Sequence, residues 1–290
     1  MIKLKSTLAQ RLFFGVLMIL LLVGVFISDG YLSSKQALSD TVKYQGIIFT
    51  FIVAVVAGLG ARELFAMVAP KKTNGNLFVT ILAIVSIVTS SIWFHGDILY
   101  LLSGCLLAAS LYHGFKYGTE ETFAAMGQIC FMVIYLGVGC YFFTKIRDLG
   151  HGQTTVWGQI SIVVMFMTVV KCADIGAFFT GRAIGKHKWV PKISPGKTWE
   201  GFIGGTVLST IVAFLFTYCI DIMVYKAVIY GVVLGVVGPL GDLFESMLKR
   251  DANSKDSAQM VPAFGGMMDL LDSLVISAPV AYCILTCWIY

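Results

Sequence analysis

The stretch TNGNLFVTILAIVSIVTSSIWFHG, residues 73–96, runs for 24 residues without a charged side chain. A helix that crosses a bilayer needs about 17–25 mostly apolar residues. Working outward, further uncharged runs occupy residues 12–28, 44–61, 98–115, 122–144, 149–170, 201–220, 227–241 and 273–290. Only the run at 227–241 is short, with 15 residues, and it reaches spanning length by taking in Asp242 and its neighbours. The chain therefore reads as all-α, a polytopic transmembrane helical bundle of about nine spans. Composition agrees. Of 290 residues, 58% are hydrophobic and 13% are charged, with a mean hydropathy of +0.85. A soluble domain carries about 25% charged residues, so a single soluble domain and a disordered chain are both excluded.

Orientation follows from the basic residues, which collect on cytoplasmic flanks. Nine spans divide the chain ends and loops into two alternating sets. One set holds 15 Lys and Arg and the other holds 5, with Lys171 at a span end. The richer set contains the N-terminus and the two late polar loops, which places them in the cytoplasm. The first run follows a short basic leader and is read as a retained helix, with a cleaved signal peptide as the rival. Seven scattered cysteines without a CxxC pair argue against a disulfide framework and a zinc site. The net charge of +5 points to anionic lipid or an anionic substrate and makes no case for nucleic acid.

Character changes along the chain. Residues 1–170 are N-terminal membrane helices with ordinary connectors. Residues 171–290 form a C-terminal membrane region with polar cytoplasmic loops, and function is expected there. Ionisable groups inside apolar sequence cost about 2.5–3.5 kcal/mol each at mid-depth, so they mark candidate sites. Asp174 follows the run ending at Val170. Asp242, Glu245, Ser246 and Lys249 are spaced i, i+3, i+4, i+7 on one helical face. Asp269, Asp272 and Ser273 share another. Gly238-Pro239-Leu240-Gly241 is expected to break or kink its helix, and Gly231-xxx-Gly235 to pack closely inside the bundle. The loop GRAIGKHKWVPKISPGKTWEGFIGG, residues 181–205, joins five cations to many glycines, which suits a phosphate cradle. It fails the spacing of a P-loop. Thr198 reads as a partial helix cap with Gly201 at the third helical position. Two acidic faces and two basic loops on one side of a membrane fit a hard cation, phosphates and a lipid substrate, that is, phosphoryl or nucleotidyl transfer.

The polar blocks resemble a known family. Ser246-Met-Leu-Lys249-Arg250 with Lys255-Asp256, then Pro262-Ala-Phe264-Gly265-Gly266-Met-Met-Asp269-Leu270-Leu-Asp272, is similar to the signature of the phosphatidate cytidylyltransferases, or CDP-diacylglycerol synthases. Asp174-Ile-Gly176, Gly181-Arg182, Ser194-Pro195, Lys197-Thr198-Trp199-Glu200-Gly201 and Gly238-Pro-Leu-Gly241-Asp242 look like its other blocks. The resemblance is close over about residues 170–275. It implies an all-helical membrane enzyme, usually a homodimer. The implied reaction is Mg²⁺-dependent: CTP and phosphatidate give CDP-diacylglycerol and pyrophosphate. It also implies metal-binding Asp242 and Asp269, and phosphate contacts from Lys249, Arg250 and Lys255. Asp256 joins the catalytic group. Ser194, Lys197 and Glu200 fall in the nucleotide and lipid-phosphate site, with Arg182, Ser246, Asp174 and Asp272 beside them. Phe264 and Leu270 depart from the family's His and Arg, which bears on phosphate handling. Two other readings are weighed: a transporter of an anionic solute, and a non-catalytic relative. The simplest setting is a bacterial inner membrane with the site facing the cytoplasm.

Overall fold

A computed structural model describes Leu17 and residues 20–35, 46–68, 76–94, 96–119, 121–150, 155–220, 222–252 and 266–289. Helix α1 covers residues 20–35. It is followed by α2 (Ile47–Val68), α3 (Leu77–Trp93), α4 (Ile98–Tyr117) and α5 (Thr122–Met132). A π-helical segment, Val133–Val138, leads into α6 (Gly139–Asp148) and then α7 (Val156–Ile184). A hairpin of β1 (Lys188–Val190) and β2 (Ser194–Thr198) precedes α8 (Trp199–Phe216), α9 (Val224–Asp251) and α10 (Met268–Ile284). Among the described residues, seven helical stretches are long and apolar enough to cross a membrane. These are α2, α4, α5 through α6, α7, α8, α9 and α10. Helix α3, at 17 residues, is apolar but shorter. The chain is an integral membrane helical bundle. Most of the basic leader lies outside the described residues.

Polar residues between the apolar runs start the helices. The side chains of Asn76, Asp97, Thr155 and Thr198 each accept a bond from a backbone N–H in the first turn of α3, α4, α7 and α8. Thr155 also corrects a boundary. The run at 149–170 becomes a helix beginning at Val156 and continuing to Ile184, past Lys171 and Asp174. Those two charges stand i, i+3 and pair at 3.7 Å, so the apolar stretch ends without ending the helix.

At Pro239 the helix does not break, one of the two outcomes expected there, and α9 continues through it. A proline has no N–H to offer the carbonyl four residues earlier, here Gly235. The Thr206 hydroxyl of α8 lies 3.2 Å from that carbonyl and 3.0 Å from the Phe202 carbonyl of its own helix, and shares its one hydrogen between them. The Ser209 hydroxyl donates to the Gly231 carbonyl. A Cβ on Gly235 would lie 2.7 Å from the Thr206 Cα, and one on Gly231 2.6 Å from the Thr210 Cα. The glycine stripe of α9 is thus used inside the chain, against α8. Thr206→Val keeps the shape and removes the donor. It is expected to lower stability by about 1 kcal/mol, within the range of hydrogen bonds between membrane helices. The check is the midpoint of thermal unfolding in detergent.

At the end of α6, Arg147 is buried and bonded to Asp29 at 2.7 Å and to the Ser33 hydroxyl at 2.8 Å. Asp29 also accepts from the Phe49 N–H. This network ties α1 and α2 to the end of α6. Buried charges persist only when paired and hydrogen-bonded.

Candidate active site

The β1–β2 hairpin was unforeseen in a chain read as all helix. It is antiparallel, with Lys188 opposite Thr198 and Val190 opposite Ser194. Trp189 lies against Phe202 of α8, ring centroids 4.6 Å apart. Glu200 accepts from the His187 backbone N–H and meets its Nδ1 at 2.6 Å. Glu200 therefore holds the hairpin's start and does not line the cavity below it. Arg250, also expected at a phosphate, bonds the Ile193 carbonyl at the hairpin turn.

Beneath the hairpin lies a cavity of about 470 Å³ between α7, α8 and α9. Arg182, Ser194 and Lys197 line one part of it, Asp174 and Asp242 another, with Trp189 and Phe202 as apolar wall. Five expected site residues, from α7, β2 and α9, therefore meet in one space. Lys197 crosses it, its ammonium 3.0 Å from an Asp242 oxygen and 3.1 Å from the Pro239 carbonyl.

Asp242 belongs to a second grouping. One carboxylate oxygen each from Asp242, Glu245 and Asp272 lies within 4.8 Å of the others. Each acid has its own lysine. Lys197 meets Asp242, Lys249 meets Glu245 at 3.1 Å, and Lys171 meets Asp272 at 3.6 Å. Lys171 also donates to the Ser273 hydroxyl at 2.8 Å, and that hydroxyl bonds Asp174 at 3.2 Å. Asp269 stands just beyond, its Oδ1 bonded to Lys249 and its Oδ2 accepting from the Gly266 N–H at 2.7 Å. Asp269 thus connects to the cluster through Lys249, which also meets Glu245, while Asp272 stands beside Asp242. Five carboxylates (Asp174, Asp242, Glu245, Asp269, Asp272) against three ammoniums (Lys171, Lys197, Lys249) leave a formal charge of −2. Close carboxylate oxygens with that surplus suit a hard divalent cation.

A family model for the cytidylyltransferase family matches residues 8–288. The chain belongs to that family. Within this cytidylyltransferase group, it is 31% identical to the phosphatidate cytidylyltransferase of Bacillus subtilis over 257 residues, covering 82% of this chain and 93% of that one. It is 42% identical to the Haemophilus influenzae protein of the same name over 137 residues, 45% of this chain and 48% of that one. With the Staphylococcus aureus protein of that name the identity is 38% over 153 residues, 52% of this chain and 55% of that one. The last two matches span about half the length of those relatives.

Lys255, Asp256 and Phe264 lie outside the described residues. Ser246 is half-buried on α9 and Leu270 is half-buried in the first turn of α10. Three side chains were missed by the sequence reading. Lys171 looked like a span-end cation, and only the fold shows it facing Asp272. Glu63, in α2, accepts from the backbone N–H groups of Met267 and Met268 at the start of α10. Tyr135 sits in the π-helical segment, packed on Phe244, with a buried hydroxyl that lacks a hydrogen-bond partner among the described residues. A lone glutamate at the end of an apolar run was the only available signal for Glu63, and nothing in the sequence marked Tyr135.

Proposed function

We propose that this protein transfers the cytidylyl group of CTP to phosphatidate, releasing pyrophosphate and forming CDP-diacylglycerol. The observation that carries the reading is the junction of the basic cavity with the acidic cluster at Asp242. Phosphates need cations and hydrogen-bond donors, which Arg182, Lys197 and Ser194 supply. A phosphatidate phosphate oxygen attacks the α-phosphorus of CTP, and the bond from that phosphorus to the bridging oxygen of pyrophosphate breaks. The nucleophile is already ionised, so no side chain need remove a proton. The residues' work is positioning and charge neutralisation, which dominate catalysis of this kind.

Asp242, Glu245 and Asp272 fit Mg²⁺ by their donor chemistry and surplus charge. When bound there, the ion would neutralise charge developing on the phosphates. Lys171, Lys197 and Lys249 are held beside these acids by the ion pairs described. Each is placed to turn toward a phosphate, and Lys197 already spans cavity and cluster. Asp269 anchors Lys249. Glu200 and Arg250 act on the hairpin, and through it on Ser194 and Lys197.

The setting belongs to the same reading: a bacterial inner membrane, the site at its cytoplasmic face. The excess of Lys and Arg near the site's end of the bundle supports that orientation. The resemblance adds a homodimer. Since the small-residue stripe of α9 is already used against α8, a partner would meet another face.

Pyrophosphate release by purified protein in mixed micelles tests the reading. It should require both CTP and phosphatidate and should stop on addition of EDTA. Release without any lipid acceptor, or none with phosphatidate present, would refute it.

A further inference from the structure

The metal-binding reading leaves Glu63 unexplained. It lies on α2, more than 200 residues from α10 in sequence, and it is 2% exposed. Its two carboxylate oxygens accept from Met267 N at 2.8 Å and Met268 N at 2.9 Å. The first turn of a helix has N–H groups without internal partners. Helix α10 brings no side-chain cap of its own at Met267, and the Gly266 N–H is taken by Asp269. Glu63 fills the gap from another helix. A carboxylate at a helix N-terminus is favoured by the dipole and by charge-assisted bonds. Burial of that charge makes the arrangement strict, since either partner left alone is costly.

The contact is built at close range. One turn before Glu63, a Cβ on Gly60 would lie 3.3 Å from the Met268 sulfur and 3.6 Å from Leu271 Cδ1. Gly60 lets α2 come close enough for the carboxylate to reach backbone. From Met268, Asp269 is the next residue and Asp272 lies about one turn further. The level and rotation at which α10 starts therefore set both carboxylates against Lys249 and Asp242.

We infer that Glu63 is a positioning residue for the cation site. By clamping the start of α10, it makes the N-terminal half of the chain part of the site's geometry. This rests on the reading of Asp242, Glu245 and Asp272 as that site. Glu63→Gln retains the size of the side chain but offers one acceptor, and its amide NH₂ would face a backbone donor. Substitutions of groups that orient metal ligands commonly weaken metal affinity by 10–100-fold.

The test is a Mn²⁺ binding isotherm, read by electron paramagnetic resonance on purified full-length protein without substrates, with thermal unfolding of the same samples. Wild type should bind Mn²⁺, and Glu63→Gln should bind about tenfold more weakly while still folded at the assay temperature. A merely structural Glu63 would lower the unfolding midpoint and leave Mn²⁺ affinity alone, and that result overturns the inference. Should Glu63→Gln fail to fold, Glu63→Asp, which keeps the charge with a shorter reach, is measured against the same criterion. If wild type binds no Mn²⁺, the metal reading falls and takes this inference with it. If wild type and both variants bind alike, only the inference falls.

Discussion

Asp242→Asn is expected to lower the rate of CDP-diacylglycerol formation by about 10²–10³-fold, the range seen when one preorganised electrostatic contact to a transition state is lost. Asp242 is the residue shared by the basic cavity and the acidic cluster. The amide keeps its shape and removes one of five negative charges, so the surplus falls from −2 to −1. It also releases Lys197 from its 3.0 Å ion pair. Asp242 is 38% exposed, so the loss of charge costs little folding stability, and the variant should purify as wild type does. The concentration of Mg²⁺ giving half-maximal rate should rise in parallel. A rate within about threefold of wild type, well under that range, would remove Asp242 from the site.

Lys249→Met is expected to act first on stability. The Lys249 ammonium bridges Glu245, 3% exposed, and Asp269, 25% exposed. Methionine fills the same volume and leaves both carboxylates without that cation. Removing one partner of a buried ion pair costs about 3–5 kcal/mol, because an uncompensated charge stays behind. The expected result is a large fall in the unfolding midpoint in detergent together with loss of activity. The double variant Lys249→Met, Glu245→Gln should recover part of the stability, since the deeper charge is then gone, and none of the activity. An unchanged midpoint in the single variant would show that the bridge carries no load.

The fold was legible where one physical rule dominates. Uncharged runs of spanning length located the helices, because hydrocarbon admits no unpaired backbone. Pro239 was legible only in part. Chain-neighbour reasoning predicts a break or a kink, while the group that spares α9 the break, the Thr206 hydroxyl near the Gly235 carbonyl, comes from another helix. The end of α7 misled, since Lys171 and Asp174 pair with each other and with Ser273 and Asp272.

The site was legible as an inventory and less so as a geometry. Helical spacing put Asp242, Glu245 and Lys249 on one face, and the structure keeps them together. Spacing within one helix carries no information on which face of α10 meets α9, so only the assembled bundle shows Asp272 beside Asp242 and Asp269 beside Lys249. Arg250 has the chemistry of a phosphate ligand and Glu200 stands in the same block as Ser194 and Lys197, but a hairpin invisible to hydropathy engages both: Glu200 meets His187 and Arg250 the Ile193 carbonyl. Lys171 and Glu63 act across distances that only the assembled bundle closes.

The central claim is that the cytidylyl group itself moves to the lipid. Purified protein, phosphatidate and Mg²⁺ are incubated with CTP labelled at its α-phosphorus, and in parallel with CTP labelled at its γ-phosphorus, and the lipid phase is extracted. The account predicts α-label in the lipid and γ-label only in released pyrophosphate, with the lipid signal abolished by EDTA. Label entering the lipid from the γ-position, or from neither, would contradict it.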